Sequence, residues 1–340
     1  MNGLVRQRPL PISALLRHAE REHGDREVVS HRVEGDLHRC SRAELTARAR
    51  RLANALAAAG VAPGDSVATL AWNGHRHLEL AFAACGSGAI LHALDPGLHP
   101  DSIVRIADDA RVRFVFFDLS FMPLVEEIAP RLTSATTFVA MTDRTNMPAP
   151  ATIWDLLCYE DVIAGEGDDF DWPDFDGETI ASLDRMAGRA KQQDSACSVL
   201  LPAVAAFMPD DLAHQPQDIV LSAVPMSHVD GWGLTCSAWQ AGATLVFPGP
   251  WLDGRSFHDF VEGAGVTIAA ARPQVWQGLL AHVEREDAGL VRLRLAIVSD
   301  DSACSQVIAS TLRDRYGLRV LHSPGAIPLY RWGDAGYARR

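Results

Sequence analysis

The chain is predicted to be an α/β protein with two mostly parallel sheets flanked by helices. Three observations predict it. Short β-rich segments alternate with helical ones, first between residues 27 and 140 and again between 218 and 321, and such alternation builds βαβ crossovers and a parallel sheet. At 340 residues the chain can bury a large core or two lobes. Its 48% hydrophobic and 22% charged residues are the composition of a folded chain rather than a disordered one.

Residues 12–23 read as an amphipathic helix, with Ile12, Leu15, Leu16 and Ala19 on one face. A strand follows over 27–33. Ser41 starts the next helix as an N-cap, Glu44 three residues on completes a capping box, and Gly60 closes the helix. Strands over 66–72, 89–93, 113–117 and 136–140 then alternate with helices over 76–85, 100–110 and 121–132. Residues 143–150 form a polar, proline-bearing linker. The acidic stretch 165–177, GEGDDFDWPDFDG, lacks the glycine and terminal glutamate of an EF-hand loop and reads as a solvated connector. Beyond it, strands over 218–224, 244–247, 266–270, 293–298 and 319–321 alternate with helices over 232–241, 256–262, 274–284 and 304–316. The expected division is a first lobe over 1–180, a second over 181–322 and a short tail over 323–340.

The net charge of -12 argues against wrapping nucleic acid or an anionic membrane. Lys191 is the one lysine. The six cysteines include no C-x-x-C pair, and no His cluster has zinc-ligand spacing, so they read as reduced, mostly buried thiols and no metal site is expected. The N-terminal MNGLVRQRPLPIS has no apolar core of signal-peptide length, and the longest apolar run, 196–208, is broken by Pro202. The expectation is a soluble, cytoplasmic protein with no membrane span; the sequence leaves oligomeric state open, a homodimer included.

The stretch 218–233, DIVLSAVPMSHVDGWG, carries the candidate site. Pro225 stops strand pairing and aims the following residues beyond the C-terminal edge of the strand, where ligands bind in open α/β sheets. His228 is therefore either a functional residue or a hydrogen-bonded turn histidine, and both readings stay open. There is no G-x-S-x-G elbow, phosphate-binding G-x-x-x-x-G-K-[ST] loop or H-E-x-x-H motif. Gly86-Ser87-Gly88 falls at the end of a helix rather than after a strand, so it does not read as a dinucleotide fingerprint.

Five separated segments carry a family resemblance: Gly88-Ala-Ile-Leu-His92-Ala-Leu-Asp95-Pro96, Phe170-Asp-Trp-Pro-Asp-Phe-Asp176, Val224-Pro-Met-Ser-His-Val-Asp-Gly-Trp-Gly233, Phe247-Pro-Gly-Pro-Trp-Leu-Asp-Gly254 and Arg272-Pro-Gln-Val-Trp-Gln-Gly-Leu-Leu280. Together they resemble the adenylate-forming superfamily and, more narrowly, the large N-terminal domain of bacterial medium- and long-chain fatty-acyl-CoA synthetases. The resemblance covers roughly residues 10 to 322. It implies the two-sheet fold of that domain without the family's C-terminal domain. Such enzymes form an acyl-adenylate from a carboxylic acid and MgATP and pass the acyl group to coenzyme A.

That chemistry requires a hydroxyl-rich phosphate loop with a lysine, a Thr-Glu pair for Mg²⁺ and the α-phosphate, and a close backbone approach to adenine. The family loop resembles Y-T-S-G-T-T-G-x-P-K-G; here Asp184-Arg-Met-Ala-Gly188-Arg-Ala-Lys191-Gln192 keeps the Gly188 to Lys191 spacing and loses the Thr-Ser-Gly-Thr portion. Asp300 and Asp301 replace the adenine-contacting glycines and would repel phosphates. Pro324-Gly325-Ala326-Ile327-Pro328 stands where the family has Thr and Glu, and Asp334, in Tyr330-Arg331-Trp332-Gly333-Asp334, resembles the ribose-gripping aspartate but arrives early and reads equally as a polar tail residue. On the acyl side, the resemblance implies that His228 gates the fatty-acid pocket and that Trp232, Gly233, Ala270 and Trp276 line it; the alternative is a hydrophobic core under a strand edge. Arg272, the one cation there, is either a partner for a carboxylate head group or a surface arginine at a helix start.

The expected function is a ligase-family protein that binds a fatty acid or other acyl ligand without complete ATP-dependent adenylation. The alternatives are an active acyl-CoA ligase using ATP, Mg²⁺ and coenzyme A through divergent sites or a partner's domain, and a non-catalytic interaction module.

Overall fold

In the computed structural model, residues 10–135, 137–148, 153–175, 198–200, 203–204, 215–299 and 302–323 are described. Strand β1 (Leu10–Pro11) leads into α1 (Ile12–His23), the hairpin β2 (Glu27–His31) and β3 (Leu37–Ser41), and α2 (Arg42–Ala58). The predicted capping box opens α2: Ser41 Oγ accepts from Glu44 N at 3.1 Å, and the Glu44 carboxylate accepts from Ser41 N at 2.7 Å. The first βα run comprises β4 (Ser66–Leu70), α3 (His75–Ser87), β5 (Ile90–Ala93), α4 (Pro100–Asp109), β6 (Phe114–Phe117), α5 (Met122–Ile128), β7 (Thr137–Ala140), β8 (Leu157–Cys158) and α6 (Tyr159–Ala164). After β9 (Ser198–Leu200) and β10 (Ala203–Val204) comes the second: β11 (Ile219–Ser222), α7 (Val229–Ala241), β12 (Thr244–Phe247), α8 (Gly254–Gly263), β13 (Ile268–Ala271), α9 (Pro273–Glu286), β14 (Leu295–Ser299), α10 (Ala303–Tyr316) and β15 (Arg319–Ser323).

Two sheets result. The six-stranded one has the order β8-β7-β6-β4-β5-β9, parallel except for β9; the seven-stranded one has the order β15-β14-β13-β11-β12-β2-β3, parallel except for the β2–β3 hairpin. The sheets do not follow the expected boundary at residue 180. The hairpin β2–β3, which precedes the first run, pairs through β2 with β12 of the second, and β9, which follows the first run by more than thirty residues, pairs with β5.

Period-two burial along the strands sorts side chains into three cores. Val220, Ile268, Leu295 and Ile297 face a central core shared with Val67, Leu91, Phe116 and Val139 of the other sheet and with α1, α2, α3 and α7. Their neighbours Leu221, Ala269, Ala296 and Val298 face an outer core under α8, α9 and α10, and Ala68, Leu70, Val115 and Phe117 face another under α4 and α5. The layers are thus helix, sheet, helix, sheet, helix. Helix α3, sandwiched in the middle, is buried from His75 to Gly86, and a helix covered on all sides has no solvent face to leave polar.

Several sequence expectations need correction. The helix expected over 121–132 is α-helical only from Met122 to Ile128 and 3₁₀ over Ala129–Arg131, where Pro130 cannot donate to the helix ladder. Strand β3 escaped notice because an antiparallel edge strand buries little; only Cys40 in it is buried. The acidic stretch, described to residue 175, is more than a solvated connector. Trp172 is buried in the central core against Gly86, where an added Cβ would sit 2.7 Å from its ring, and Phe175 likewise covers Gly88 at φ +92°. The Gly86-Ser87-Gly88 run therefore ends α3 and admits two aromatic rings.

Candidate functional site

The candidate site lies where β11 runs out of partners. Ala223 N still donates to Ala270 O at 2.9 Å, Pro225 has no N–H to donate, and His228 N closes a turn onto Pro225 O at 2.8 Å. His228 then caps α7: its Nδ1 accepts from Asp230 N at 3.3 Å, which leaves the proton of the neutral ring on Nε2. The imidazole is 41% exposed while the Asp230 carboxylate, 3.5 Å from Nδ1, is buried. Gly231 allows this packing, because a Cβ there would lie 2.3 Å from Pro225 O and 2.5 Å from Val224 O.

The sequence-predicted pocket residues divide. Trp232, 4% exposed, and Ala270 lie in the central core with Val224 and Met226, and Trp232 tilts against Phe82 with ring centroids 6.1 Å apart. Gly233 is buried beside them in α7. Trp276 is elsewhere: it packs in the outer core against Phe257 and donates to Ile297 O at 3.1 Å, on the far face of the seven-stranded sheet. Arg272, half-exposed at the N-cap of α9, approaches Asp95 at 3.9 Å and so links the C-terminal edges of the two sheets. Gly188, Lys191, Asp300, Asp301, Gly325 and Asp334 lie outside the described residues.

One residue of the site went unnoticed in the sequence. Asn73, in the turn between β4 and α3, crosses to the other sheet: its Nδ2 donates to Ser222 O at 2.9 Å and Val224 O at 2.7 Å, and its Oδ1 accepts from Met226 N at 2.8 Å. Asparagine before glycine reads locally as a turn residue, so the only signal was its place just after a strand.

Asn73 also lines a narrow cleft of about 30 Å³ between the ends of β2, β4, β6 and β12, together with Arg32, Glu34, His75, Arg76, His77, Asp118 and Gly249. Ion pairs dominate its wall. Arg76 donates to Glu34 at 2.7 Å, Glu160 at 2.9 Å and Met141 O at 2.8 Å. Burial disfavours its charge, but Glu34 and Glu160 outweigh that and raise its pKa. Burial pushes the Asp118 carboxyl up to about 7, against the opposing hydrogen bond from Trp72 N at 2.7 Å and the nearby Arg76 charge. Burial likewise lowers His77 to about 4 and His75 well below the ordinary histidine range.

The fold and this turn invite comparison with known proteins. The profile of the AMP-binding enzyme family matches residues 15–181 and 195–326. The chain belongs to the AMP-binding enzyme family. Among curated relatives of this family, it is 36% identical over 339 residues to 3-methylmercaptopropionyl-CoA ligase of Ruegeria lacuscaerulensis, covering 98% of this chain and 62% of the relative. It is 37% identical over 340 residues, with the same coverages, to medium-chain-fatty-acid–CoA ligase of Ectopseudomonas oleovorans. The chain thus spans 62% of the length of these curated relatives. Solved AMP-binding structures share its fold: anthranilate CoA ligase AuaEII in complex with anthranoyl-AMP superposes with TM-score 0.75 at 17% identity, covering 94% of this chain and 60% of that one. The N-terminal domain of FACL13 from Mycobacterium tuberculosis superposes with TM-score 0.68 at 18% identity, covering 92% and 75%. Enzymes of the AMP-binding family in general use ATP, Mg²⁺ and coenzyme A. Among the described residues no helix is long and apolar enough to cross a membrane.

Proposed function

We propose that this AMP-binding-family chain holds an acyl carboxylic acid at the edge of the seven-stranded sheet beside His228, and that it does not complete ATP-dependent adenylation. The observation that carries the proposal is the residue content at the metal position, where Ile327 and Pro328 offer no side-chain oxygen for Mg²⁺ in place of the family's Thr and Glu. Asp300 and Asp301 add negative charge where a nucleotide would bring its own, and the hydroxyls around Lys191 are absent. MgATP therefore does not fit the residues at these positions. On the acyl side, Trp232 and Ala270 pack in the core directly behind the turn, and Arg272, held only loosely by Asp95, offers a cation for a carboxylate head group.

The test is direct. Octanoate or palmitate should bind the 340-residue chain in calorimetry, with no acyl-hydroxamate formed and no pyrophosphate released when ATP is added. Either product above a Lys191→Ala control overturns the proposal.

The 36–37% identity to proteins named as CoA ligases, across 98% of the chain, favours a second reading: an active acyl-CoA ligase with divergent sites. That reading expects MgATP to raise thermal stability, by about 2.7 kcal/mol at a hundredfold excess over the dissociation constant. Absence of any nucleotide-dependent shift removes it.

A further inference from the structure

We infer that Asn73 is the positioning residue of the Pro225–His228 turn, the side chain that sets where the acyl-facing edge of the seven-stranded sheet ends. The role attached to the turn rests on the acyl-binding reading above; the structural part stands without it. Beyond Ser222 the parallel ladder closes down, and Pro225 removes one donor altogether. Ser222 O, Val224 O and Met226 N are left to find partners in the interior, and buried backbone groups are rarely left without one. One primary amide satisfies all three.

The chemistry selects asparagine. Nδ2 has two protons and meets two carbonyl oxygens, while Oδ1 meets one N–H, so the network itself fixes which way the amide is turned. Aspartate has the same size and keeps the acceptor for Met226 N, yet turns an oxygen toward two carbonyl oxygens. Alanine abandons all three groups. At 7% exposure, water has little access to replace them. Because Asn73 is anchored in the β4–α3 turn of the six-stranded sheet, the His228 turn is referenced to the other sheet as well as to its own strand. His228, Gly231 and Trp232 follow within the first turn of α7, so a shift at Met226 is passed to them directly.

Hydrogen exchange and ligand affinity test this together. In Asn73→Ala and Asn73→Asp, amides over residues 223–228 are expected to exchange at least tenfold faster than in the wild-type chain, with those of β14 unchanged. Octanoate affinity is expected to fall at least tenfold. Leu279→Ala, a cavity in the outer core on the other face of the sheet, is expected to lower stability and to leave both readouts in place. Wild-type exchange rates over 223–228 in both Asn73 variants overturn the inference, as does loss of octanoate affinity in Leu279→Ala equal to that in the Asn73 variants. Should both Asn73 variants fail to fold, the wild-type Met226 amide decides: protection supports the inference, and exchange at the free-peptide rate overturns it. If the wild-type chain binds neither octanoate nor palmitate, the acyl reading falls, and exchange over 223–228 alone judges Asn73.

Discussion

At the C-terminal ends of their strands the two sheets are finished with different chemistry. Where β4 and β6 of the six-stranded sheet end against β2 and β12, charge gathers: Arg76, Glu34 and Asp118 line one narrow cleft, Glu160 pairs with Arg76 at 2.9 Å, and Arg48 and Tyr159 each donate to Glu79 at 2.7 Å just behind it. The seven-stranded sheet ends in backbone: a proline turn, a capping histidine and a glycine that lets the first turn of α7 lie against it. A buried ionic cluster is stiff and costly to disturb, because each charge left alone pays the full desolvation penalty. A turn held by neutral hydrogen bonds can present apolar surface to a ligand without bringing in charge. The difference suits one edge to holding the layers together and the other to meeting a ligand.

The comparison can be broken most forcefully at the ionic edge. Arg76→Met leaves Glu34, 4% exposed at its side chain, without its main counter-charge. Removing one member of a buried pair costs about 3–5 kcal/mol, which urea unfolding reads as a lower midpoint at unchanged slope. A change under about 1 kcal/mol would put this cluster with ordinary surface pairs.

On the neutral edge, Gly231→Ala forces a Cβ against Pro225 O and Val224 O, both fixed backbone. Overpacking of this kind costs about 1–3 kcal/mol, and the variant is expected to lose octanoate binding as the turn is pushed aside. Retained affinity would show that the turn does not border the ligand.

Asp118 makes the ionic edge sensitive to pH in a definite direction. Its folded pKa of about 7 lies above the unfolded carboxylate range, so the folded chain keeps a proton that the unfolded chain releases. Stability from this group is therefore present in acid and lost as pH rises through about 4 to 7. In Asp118→Asn that loss disappears, so relative to wild type the variant should gain up to about 4 kcal/mol between pH 4 and pH 8, read from denaturation at the two values. Parallel pH curves would contradict the buried setting of Asp118.

The smallest effect is expected at His228. His228→Ala removes the N-cap of α7 and should cost about 0.5–1 kcal/mol, with His228→Ser restoring it. If His228 also meets the ligand, serine will rescue stability and leave octanoate affinity reduced.

Short-range features were legible in the sequence. The capping box at Ser41 and Glu44, the ends of most helices and the period of the strands depend on residues within a turn or two of one another. The end of β11 ahead of the candidate site was legible too, since Pro225 cannot continue the ladder. What went astray depended on partners far along the chain. Ala270 and Trp276 are six positions apart, yet β13 turns one toward the central core and α9 carries the other to the opposite face. Trp172, set amid aspartates, reads as solvated, but α3 supplies a glycine surface that buries it. Arg42 sits in the first turn of a helix whose sequence marks only its capped ends, but it is buried, stacked 4.6 Å over Trp239 and donating to Trp239 O, Ala238 O and Ala243 O at the far end of α7.

The sequence by itself determined the fold class, because hydrophobic period and helix caps are properties of neighbours in the chain, and the resemblance carried by five of its segments pointed to the family. Only the tertiary structure decided which sheet each strand joins, that the hairpin β2–β3 crosses to the second run's sheet, and that Asn73 completes the turn of His228. Those outcomes turn on hydrogen bonds between groups about 150 residues apart for Asn73 and more than 200 apart for β2 and β12, and no local pattern records which distant carbonyl a buried amide will meet.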